Sequence, residues 1–187
     1  MPSKISPLAP KTLKKINSIE GISVSIAHCG LKKNNKDDLV LIKLDSPGKI
    51  FGAFTNSRTP GEPILWNKSI LKFGKVSAIL INSGNANVFT GSEGHRTVNE
   101  SIKSVAKNLN TVPENIFVAS TGVIGKVLDS KQITSKIKPL TKNLKPDGFT
   151  GAAEAIMTTD TYPKGVHTEF TVDDTKVKIN GIAKGSG

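Results

Sequence analysis

Two short aliphatic runs that pass directly into polar loops containing glycine are the strongest constraint on how this sequence can fold. Residues 76–81 (VSAILI) lead into the segment NSGNAN at 82–87. Residues 116–119 (IFVA) lead into STGVIG at 120–125. Between the two runs, four apolar side chains recur at helical spacing: Val98, Ile102, Val105 and Leu109. The pattern predicts two strands separated by a helix, with a glycine-containing loop after each strand.

Other patterns predict further strands, helices and two hairpins. Residues 37–44 are mostly apolar and end at a Ser-Pro-Gly turn, so they are expected to form a strand with residues 50–54 as its hairpin partner. Helices are expected at about 129–138 and 151–157, and a second hairpin between 166 and 182. Strands mixed with helices and Gly/Asn-rich loops indicate a layered α/β or α+β fold.

The charge of the chain is compatible with more than one kind of partner. Lys and Arg number 26 against 15 Asp and Glu, which gives a formal charge of +11. Only Arg58 and Arg96 are arginines, and the single Trp66 and Tyr162 do not alternate with basic residues, as they would in many nucleic-acid-binding surfaces. A solvated lysine-rich surface is therefore favoured. Attraction of anionic substrates and a basic nucleic-acid-binding module are the alternatives.

Cysteine and histidine usage gives no sign of a disulfide framework or a metal site. Cys29 is the single cysteine, which excludes an intramolecular disulfide, and the three histidines share no metal-ligand spacing. No apolar stretch approaches the roughly 18 residues that span a bilayer. Residues 1–20 form a polar lead-in without a hydrophobic signal core, so a cytoplasmic protein is expected.

Two loops that follow strands are candidates for chemistry, and each has a plain structural alternative. In the first, Ser120, Thr121 and Gly122 could present a hydroxyl and a backbone N–H outward, as an oxyanion hole requires, or form an ordinary loop. The second, at 82–87, contains three asparagines around one glycine. It is typical of a turn but equally compatible with a polar pocket wall.

Three other polar segments carry similar ambiguity. Thr158 and its neighbours up to Lys164 could bind a polar substrate, or their hydroxyls and carboxylate could cap helices. The segment AKGSG at 183–187 has the wrong residue order for a phosphate-binding Walker loop and is compatible with an artificial linker. Its Lys184 could alternatively line a site and pair with a substrate carboxylate. Asp37 and Asp38 are expected to be turn or edge carboxylates.

Taken together, these segments resemble the glutamate N-acetyltransferase/ornithine acetyltransferase family of arginine biosynthesis. The matching segments are, in chain order, 38–42 (DLVLI), 54–56 (FTN), 81–87 (INSGNAN), 120–125 (STGVIG), 157–161 (MTTDT) and 183–187 (AKGSG). No segment is specific alone, but six in this order are hard to obtain by chance. The resemblance runs from about Gly21 to Gly187.

The resemblance implies that the chain is one half of a cut enzyme. Members of the family are made as a precursor that cuts itself before an internal threonine, which becomes the nucleophile at the start of a second, β chain. Residues 21–187 would then be the α-chain portion of a layered α+β fold of the self-processing N-terminal-nucleophile type, incomplete without the β chain. The cut is expected shortly beyond Gly187, and an α2β2 heterotetramer is the implied assembly.

The resemblance also implies an activity and residue roles. The acetyl group of N2-acetylornithine would pass to the enzyme and then to glutamate, with ornithine released. The Thr121 hydroxyl and the Gly122 backbone N–H would form the oxyanion hole, and Thr158 and Lys184 would contact the substrate. Asn82 to Asn85 would shape the neighbouring cleft. No metal or organic cofactor is implied, although acetyl-CoA is a candidate co-substrate. A related self-processing aminopeptidase is the main alternative.

Overall fold

The computed structural model describes residues 5–7, 9–33 and 35–185, so the predicted roles of Ser186 and Gly187 and of residues 1–4 lie outside the described part. Within it, a four-stranded sheet has the order β1-β2-β3-β4. The strands are β1 (Ile22–Ala27), β2 (Leu39–Lys49), β3 (Lys75–Asn85) and β4 (Ile116–Val123). β2 pairs antiparallel with both β1 and β3, whereas β3 and β4 are parallel.

Four α-helices and a separate hairpin complete the described fold. The helices are α1 (Glu62–Ile70), α2 (Gly91–Leu109), α3 (Ser130–Lys142) and α4 (Phe149–Ala155). The hairpin consists of β5 (Lys164–Val172) and β6 (Thr175–Ala183). α2 connects β3 to β4, as expected because parallel neighbours need a long crossover connection. The hairpin predicted between 166 and 182 is confirmed.

Helices pack on both faces of the four-stranded sheet. On one face, α2 and α3 bury Val98, Ile102, Val105, Ile133, Ile137 and Leu140 against Leu39, Leu41, Leu80 and Ile116. On the other face, α4 packs with Val24, Val40 and Ile16. Ile16 belongs to the predicted polar lead-in, yet its side chain is buried in this core. The division of the chain at residue 20 stays a prediction. The layered α+β fold expected from the sequence is confirmed.

α1 covers part of the outer edge of β4. Without a neighbouring strand, the outward backbone groups of an edge strand would be unpaired. The Asn67 side chain supplies both partners: its amide nitrogen donates to the Val118 carbonyl at 2.8 Å, and its oxygen accepts from the Val118 N–H at 3.0 Å. The indole of Trp66 donates to the Ile116 carbonyl at 2.9 Å. These side chains therefore replace a fifth strand at this edge.

The expected hairpin between 37–44 and 50–54 is wrong. Residues 50–54, which lie within the described chain, form no strand. β2 is instead paired on one side by β1 and on the other by β3, so both of its edges are occupied. The segments at 82–87 and 120–125 also differ from the expected loops, because strand pairing continues to Asn85 and Val123. No helix in the described residues is long and apolar enough to cross a membrane.

Candidate active site

The parallel pairing of β3 and β4 brings two separately predicted loops side by side. The carboxyl ends of neighbouring parallel strands meet at the same edge of a sheet, which is where ligand sites form in many α/β folds. In the observed register, Ser83 lies opposite Thr121 and Gly84 lies opposite Gly122. The segments NSGNAN and STGVIG therefore lie side by side, although Gly84 and Gly122 are 38 positions apart in the sequence.

Two glycines allow these backbones to approach closely. Gly84 has φ +109° and Gly122 has φ +134°, in the region that favours glycine. A Cβ on Gly122 would lie 2.3 Å from the Gly84 carbonyl carbon, and a Cβ on Gly84 would lie 2.8 Å from the Leu31 carbonyl oxygen. Three backbone segments are thus stacked without space for a side chain, which fixes the backbone around Thr121.

The ammonium group of Lys184 lies between two threonine hydroxyls. Its Nζ donates to Thr121 Oγ1 at 2.8 Å and to Thr158 Oγ1 at 2.5 Å. An ammonium has donors and no acceptor, so both hydroxyl oxygens must accept in these contacts. The O–H of Thr121 is consequently left to point toward another acceptor. The hairpin is what makes this contact possible, since β6 ends immediately before Lys184.

Asp160 connects the segments that carry Thr158 and Lys184. Its buried carboxylate accepts from the backbone N–H of Thr158 at 3.1 Å and of Gly185 at 2.5 Å, and from Lys164 Nζ at 2.8 Å. Burial alone would raise the pKa of Asp160, but these hydrogen bonds and the Lys164 charge outweigh it and hold the pKa well below its ordinary value. Asp160 is therefore ionised at neutral pH.

All four residues predicted for the site line one cavity of about 1080 Å³: Thr121, Gly122, Thr158 and Lys184. Gly84 lines it too. The sequence motifs that were ambiguous one by one thus converge in space. Their chemical roles stay a prediction. What the geometry supplies is a hydroxyl oriented by an ammonium, beside a glycine backbone, at an open cavity.

A loop that the sequence analysis did not assign to the site forms another wall of this cavity. It contributes Lys32, Lys33 and Lys36. The loop is held by Asp38, whose fully buried carboxylate accepts from the backbone N–H groups of three residues, Cys29 at 2.6 Å, Leu31 at 2.7 Å and Lys32 at 2.9 Å. Of the two expected roles, Asp38 therefore has that of a turn carboxylate, and its complete burial contradicts a position at an exposed edge. The sequence feature that indicates burial of Asp38 is its position directly before an aliphatic strand.

The carbonyl at the end of α4 joins this loop to the sheet. The Ala155 oxygen accepts from Lys32 Nζ at 2.6 Å and from Ser83 Oγ at 2.6 Å. A cation at a helix C-terminus is favoured by the helix dipole, although α4 is short. Desolvation lowers the pKa of Lys32 from its ordinary value, because its ammonium is partly buried. The contact places the segment after α4, which contains Thr158, close to β3.

The asparagines of the segment 82–87 act behind the cavity. Asn82 donates to the Asn85 carbonyl at 2.8 Å and accepts from Ser120 Oγ at 2.5 Å, so it ties β3 to β4. Asn85 donates to the Lys126 carbonyl at 2.9 Å. Both asparagines are buried. Only Gly84 of this segment lines the cavity among the described residues, and the asparagines hold the shape of its wall.

The histidines and the cysteine lie outside this arrangement. The described part of the chain contains no cluster of three or more His, Cys, Asp or Glu side chains able to hold a metal ion. The Cys29 thiol is buried, and burial together with the Asp38 carboxylate raises its pKa far above the ordinary value. A thiol that stays protonated is a poor nucleophile, so Cys29 is a structural residue.

Comparison with known proteins identifies the family of this fold and site. A sequence model described as the ArgJ family matches residues 23–187. The chain belongs to the ArgJ family. The family match thus includes the residues that line the cavity, and it confirms the resemblance found in the sequence motifs.

Full-length relatives of the ArgJ family are considerably longer than this chain. It is 40% identical over 187 residues to the arginine biosynthesis bifunctional protein ArgJ of Bradyrhizobium diazoefficiens and 41% identical to that of Mesorhizobium japonicum. The matches cover all of this chain but 45% of each relative. The chain therefore spans about half the length of these ArgJ proteins.

Solved structures of the ArgJ family share the fold. The arginine biosynthesis bifunctional protein ArgJ of Bacillus halodurans superposes with a TM-score of 0.82 at 30% identity, covering 90% of this chain and 88% of that one. An ornithine acetyltransferase of Mycobacterium tuberculosis, crystallised with ornithine, gives a TM-score of 0.81 at 29% identity, covering 90% of both chains. The four-stranded sheet, its helices and the hairpin are thus an ArgJ-family architecture.

Proposed function

We propose that this chain is the N-terminal, α portion of a self-processing acetyltransferase that moves the acetyl group of N2-acetylornithine to glutamate. The observation that carries the proposal is the meeting of Thr121, Gly122, Thr158 and Lys184 at one cavity beside the ends of two parallel strands. Membership of the ArgJ family supports it. So does the likeness to an ornithine acetyltransferase that was crystallised with ornithine.

In the first half of the reaction, this chain provides the oxyanion hole. The attacking hydroxyl is proposed to be the N-terminal threonine of the β chain, with its own amine as base. Attack on the acetyl carbonyl converts the carbonyl oxygen to an oxyanion, which accepts hydrogen bonds from the Thr121 hydroxyl and the Gly122 N–H. Collapse of this intermediate breaks the bond to nitrogen. Ornithine leaves after its amine has gained the proton, and the acetyl group stays on the threonine.

The second half reverses these steps with a different amine. The amine of glutamate attacks the acetyl-threonine carbonyl, and the same two donors stabilise the second oxyanion. Collapse then releases N-acetylglutamate and restores the threonine hydroxyl. Each preorganised donor in such a site typically contributes about 2.7–4 kcal/mol to transition-state stabilisation. The Lys184 ammonium, 2.8 Å from Thr121 Oγ1, adds positive charge next to the developing oxyanion.

The proposal includes the partners and the setting of the enzyme. The β chain would come from the same precursor, which fits a chain that spans 45% of its relatives, and the assembly would be an α2β2 heterotetramer. The transfer needs no metal or organic cofactor, and acetyl-CoA is a candidate co-substrate for direct acetylation of glutamate. The cytoplasm is the proposed location, and nucleic acid and membranes are not proposed partners.

The test is to produce the full-length gene product and examine both its processing and its activity. Intact mass and N-terminal sequencing should find a second fragment that begins with threonine. With N2-acetylornithine and glutamate together, the purified enzyme should form N-acetylglutamate and ornithine in equal amounts. Ornithine and free acetate formed without acetylation of glutamate would instead support a self-processing hydrolase. A single uncut chain without transfer would overturn the proposal.

A further inference from the structure

Asp160 is the point at which three segments of the cavity wall meet. Thr158 belongs to the loop after α4, Lys164 begins β5, and Gly185 follows β6. One buried carboxylate accepts a hydrogen bond from each of them. We infer that Asp160 is a positioning residue that holds the Lys184 ammonium between Thr158 and Thr121, and thereby sets the direction of the Thr121 hydroxyl. The inference rests on the proposed acetyl transfer.

The first step of the argument is the geometry of the backbone contacts. Oδ1 of Asp160 lies 2.5 Å from the N–H of Gly185, the residue that follows Lys184. Oδ2 lies 3.1 Å from the N–H of Thr158. The two oxygens of one carboxylate thus fix the main chain at Thr158 and at the residue next to Lys184. The Asp160 side chain is fully buried, so it has little freedom to move.

The second step is what this placement does to Thr121. Lys184 Nζ reaches Thr121 Oγ1 at 2.8 Å and Thr158 Oγ1 at 2.5 Å. A displacement of Lys184 by about 1 Å would break one or both contacts, because hydrogen bonds weaken quickly beyond about 3.2 Å. Thr121 would then be free to rotate its hydroxyl toward other partners. Asp160 therefore acts on the oxyanion hole through Lys184, without touching substrate.

The third step explains why this position needs a carboxylate. Asp160 faces three donors, two backbone N–H groups and one ammonium, and an ionised carboxylate is acceptor-only. An asparagine would place its amide NH2 group against one of these donors. An NH2 group cannot accept a hydrogen bond, so that donor would lose its partner. The asparagine would also leave Lys164 without its ion-pair partner. Asn is therefore the closest isostere that still disrupts the arrangement.

A variant of Lys164 is a matched control, because it tests the loss of the ion pair with Asp160 separately from the loss of the backbone contacts. Its Nζ pairs with Asp160 at 2.8 Å and lies 4.4 Å from the centre of the Tyr162 ring. Replacing it with methionine removes the ion pair but leaves both backbone contacts of Asp160 intact. If Asp160 positions Lys184 through the backbone, Lys164→Met should have a much smaller effect on turnover than Asp160→Asn.

The experiment is a double-mutant cycle in the full-length, processed enzyme, assayed with N2-acetylornithine and glutamate. Asp160→Asn should lower kcat/KM by about 10- to 100-fold, the size expected for losing a charge-assisted hydrogen bond. Because Asp160 acts through Lys184, adding Asp160→Asn to Lys184→Met should cause little further loss. If Asp160→Asn instead caused a general loss of structure, it would lower the activity of the wild-type enzyme and of the Lys184→Met enzyme by the same factor.

Each outcome decides between the alternatives. Independent, multiplicative effects in the cycle, or an Asp160→Asn enzyme with unchanged kinetics, would overturn the inference. If Asp160→Asn yields no folded enzyme, the same cycle is run with Asp160→Glu, which keeps the acceptor charge but shifts its oxygens by one methylene. Asp160→Glu should likewise have little effect on kcat/KM when it is added to Lys184→Met. A wild-type enzyme without acetyl transfer would reject the proposed function, a result distinct from a failed cycle in an active enzyme.

Discussion

Gly122 lies so close to Gly84 that a Cβ on Gly122 would come within 2.3 Å of the Gly84 carbonyl carbon. Real Cβ atoms do not approach backbone to this distance, and the φ of +134° at Gly122 is unfavourable for any other residue. Gly122→Ala must therefore separate the ends of β3 and β4. We expect turnover of the assembled enzyme to fall at least about 100-fold, since small misplacements of catalytic groups have effects of this size.

The matched control for this prediction is Gly52→Ala. Gly52 has no positive φ, and its added Cβ would lie 3.6 Å from the Phe54 ring, an ordinary contact. Steady-state kinetics and urea unfolding should be measured on both variants. Near-normal kcat in Gly122→Ala would show that the close approach of the two strands is not needed for the reaction.

The hydroxyl of Thr121 is the subject of the second prediction. Thr121→Ala removes a donor proposed for the oxyanion, so kcat should fall by about one to three orders of magnitude with a modest change in N2-acetylornithine binding. Thr121→Ser keeps the hydroxyl and should retain most of the activity. Equal turnover in Thr121→Ala and wild type would remove Thr121 from the mechanism.

Lys184 should affect both binding and catalysis. The sequence alone suggests that Lys184→Ala mainly weakens substrate binding by removing a charge-assisted contact. The 2.8 Å contact with Thr121 Oγ1 adds a second proposed role, because the ammonium would orient the hydroxyl that we propose as an oxyanion donor. In Lys184→Met we therefore expect KM for N2-acetylornithine to rise about tenfold and kcat to fall as well. The exposed Lys103 on α2 provides the control, Lys103→Met. A change in KM alone would leave only the binding role.

Local patterns in the sequence were sufficient to predict the elements with regular apolar spacing. Val98, Ile102 and Val105 identify α2, and the aliphatic run at 76–81 identifies β3. β1 was not predicted, although Ile22–Ala27 alternates apolar residues with serine, which is a strand signal. α1 gave a weaker signal because its buried face includes the polar Asn67, which pairs with the β4 backbone.

The candidate site depends on contacts that local sequence patterns do not predict. The strand that runs into Ser120, Thr121 and Gly122 is a local signal for a candidate loop, and the family resemblance is what assigns Thr121 and Gly122 their roles. The contact between Thr121 and Lys184 joins residues 63 positions apart and depends on the return of the β5–β6 hairpin, so no spacing rule could predict it. The burial of Asp38 was missed for a similar reason. Its partners are backbone N–H groups in a loop whose path the side-chain pattern does not specify.

Asp38 gives the last prediction, which concerns stability. Its carboxylate accepts from three backbone N–H groups, so Asp38→Asn would place an amide NH2 against at least one donor. We expect the free energy of unfolding to fall by about 2–4 kcal/mol, since buried hydrogen bonds to charged groups contribute about 1.5–3 kcal/mol each. Asp37→Asn is the control, because Asp37 is exposed. Urea unfolding of the assembled enzyme at neutral pH measures the difference.

The same carboxylate should make stability depend on pH. Burial alone would raise the pKa of Asp38, but the hydrogen bonds from Cys29, Lys32 and Leu31 outweigh it and lower the pKa in the folded state. A group whose folded pKa is depressed stabilises the protein above its unfolded pKa, about 3.9 for Asp, and this contribution is lost as pH falls through the folded pKa. The stability difference between wild type and Asp38→Asn should therefore be constant above about pH 5 and shrink below pH 4. A difference that stays constant down to pH 3 would mean that the charge of Asp38 contributes nothing to holding its loop.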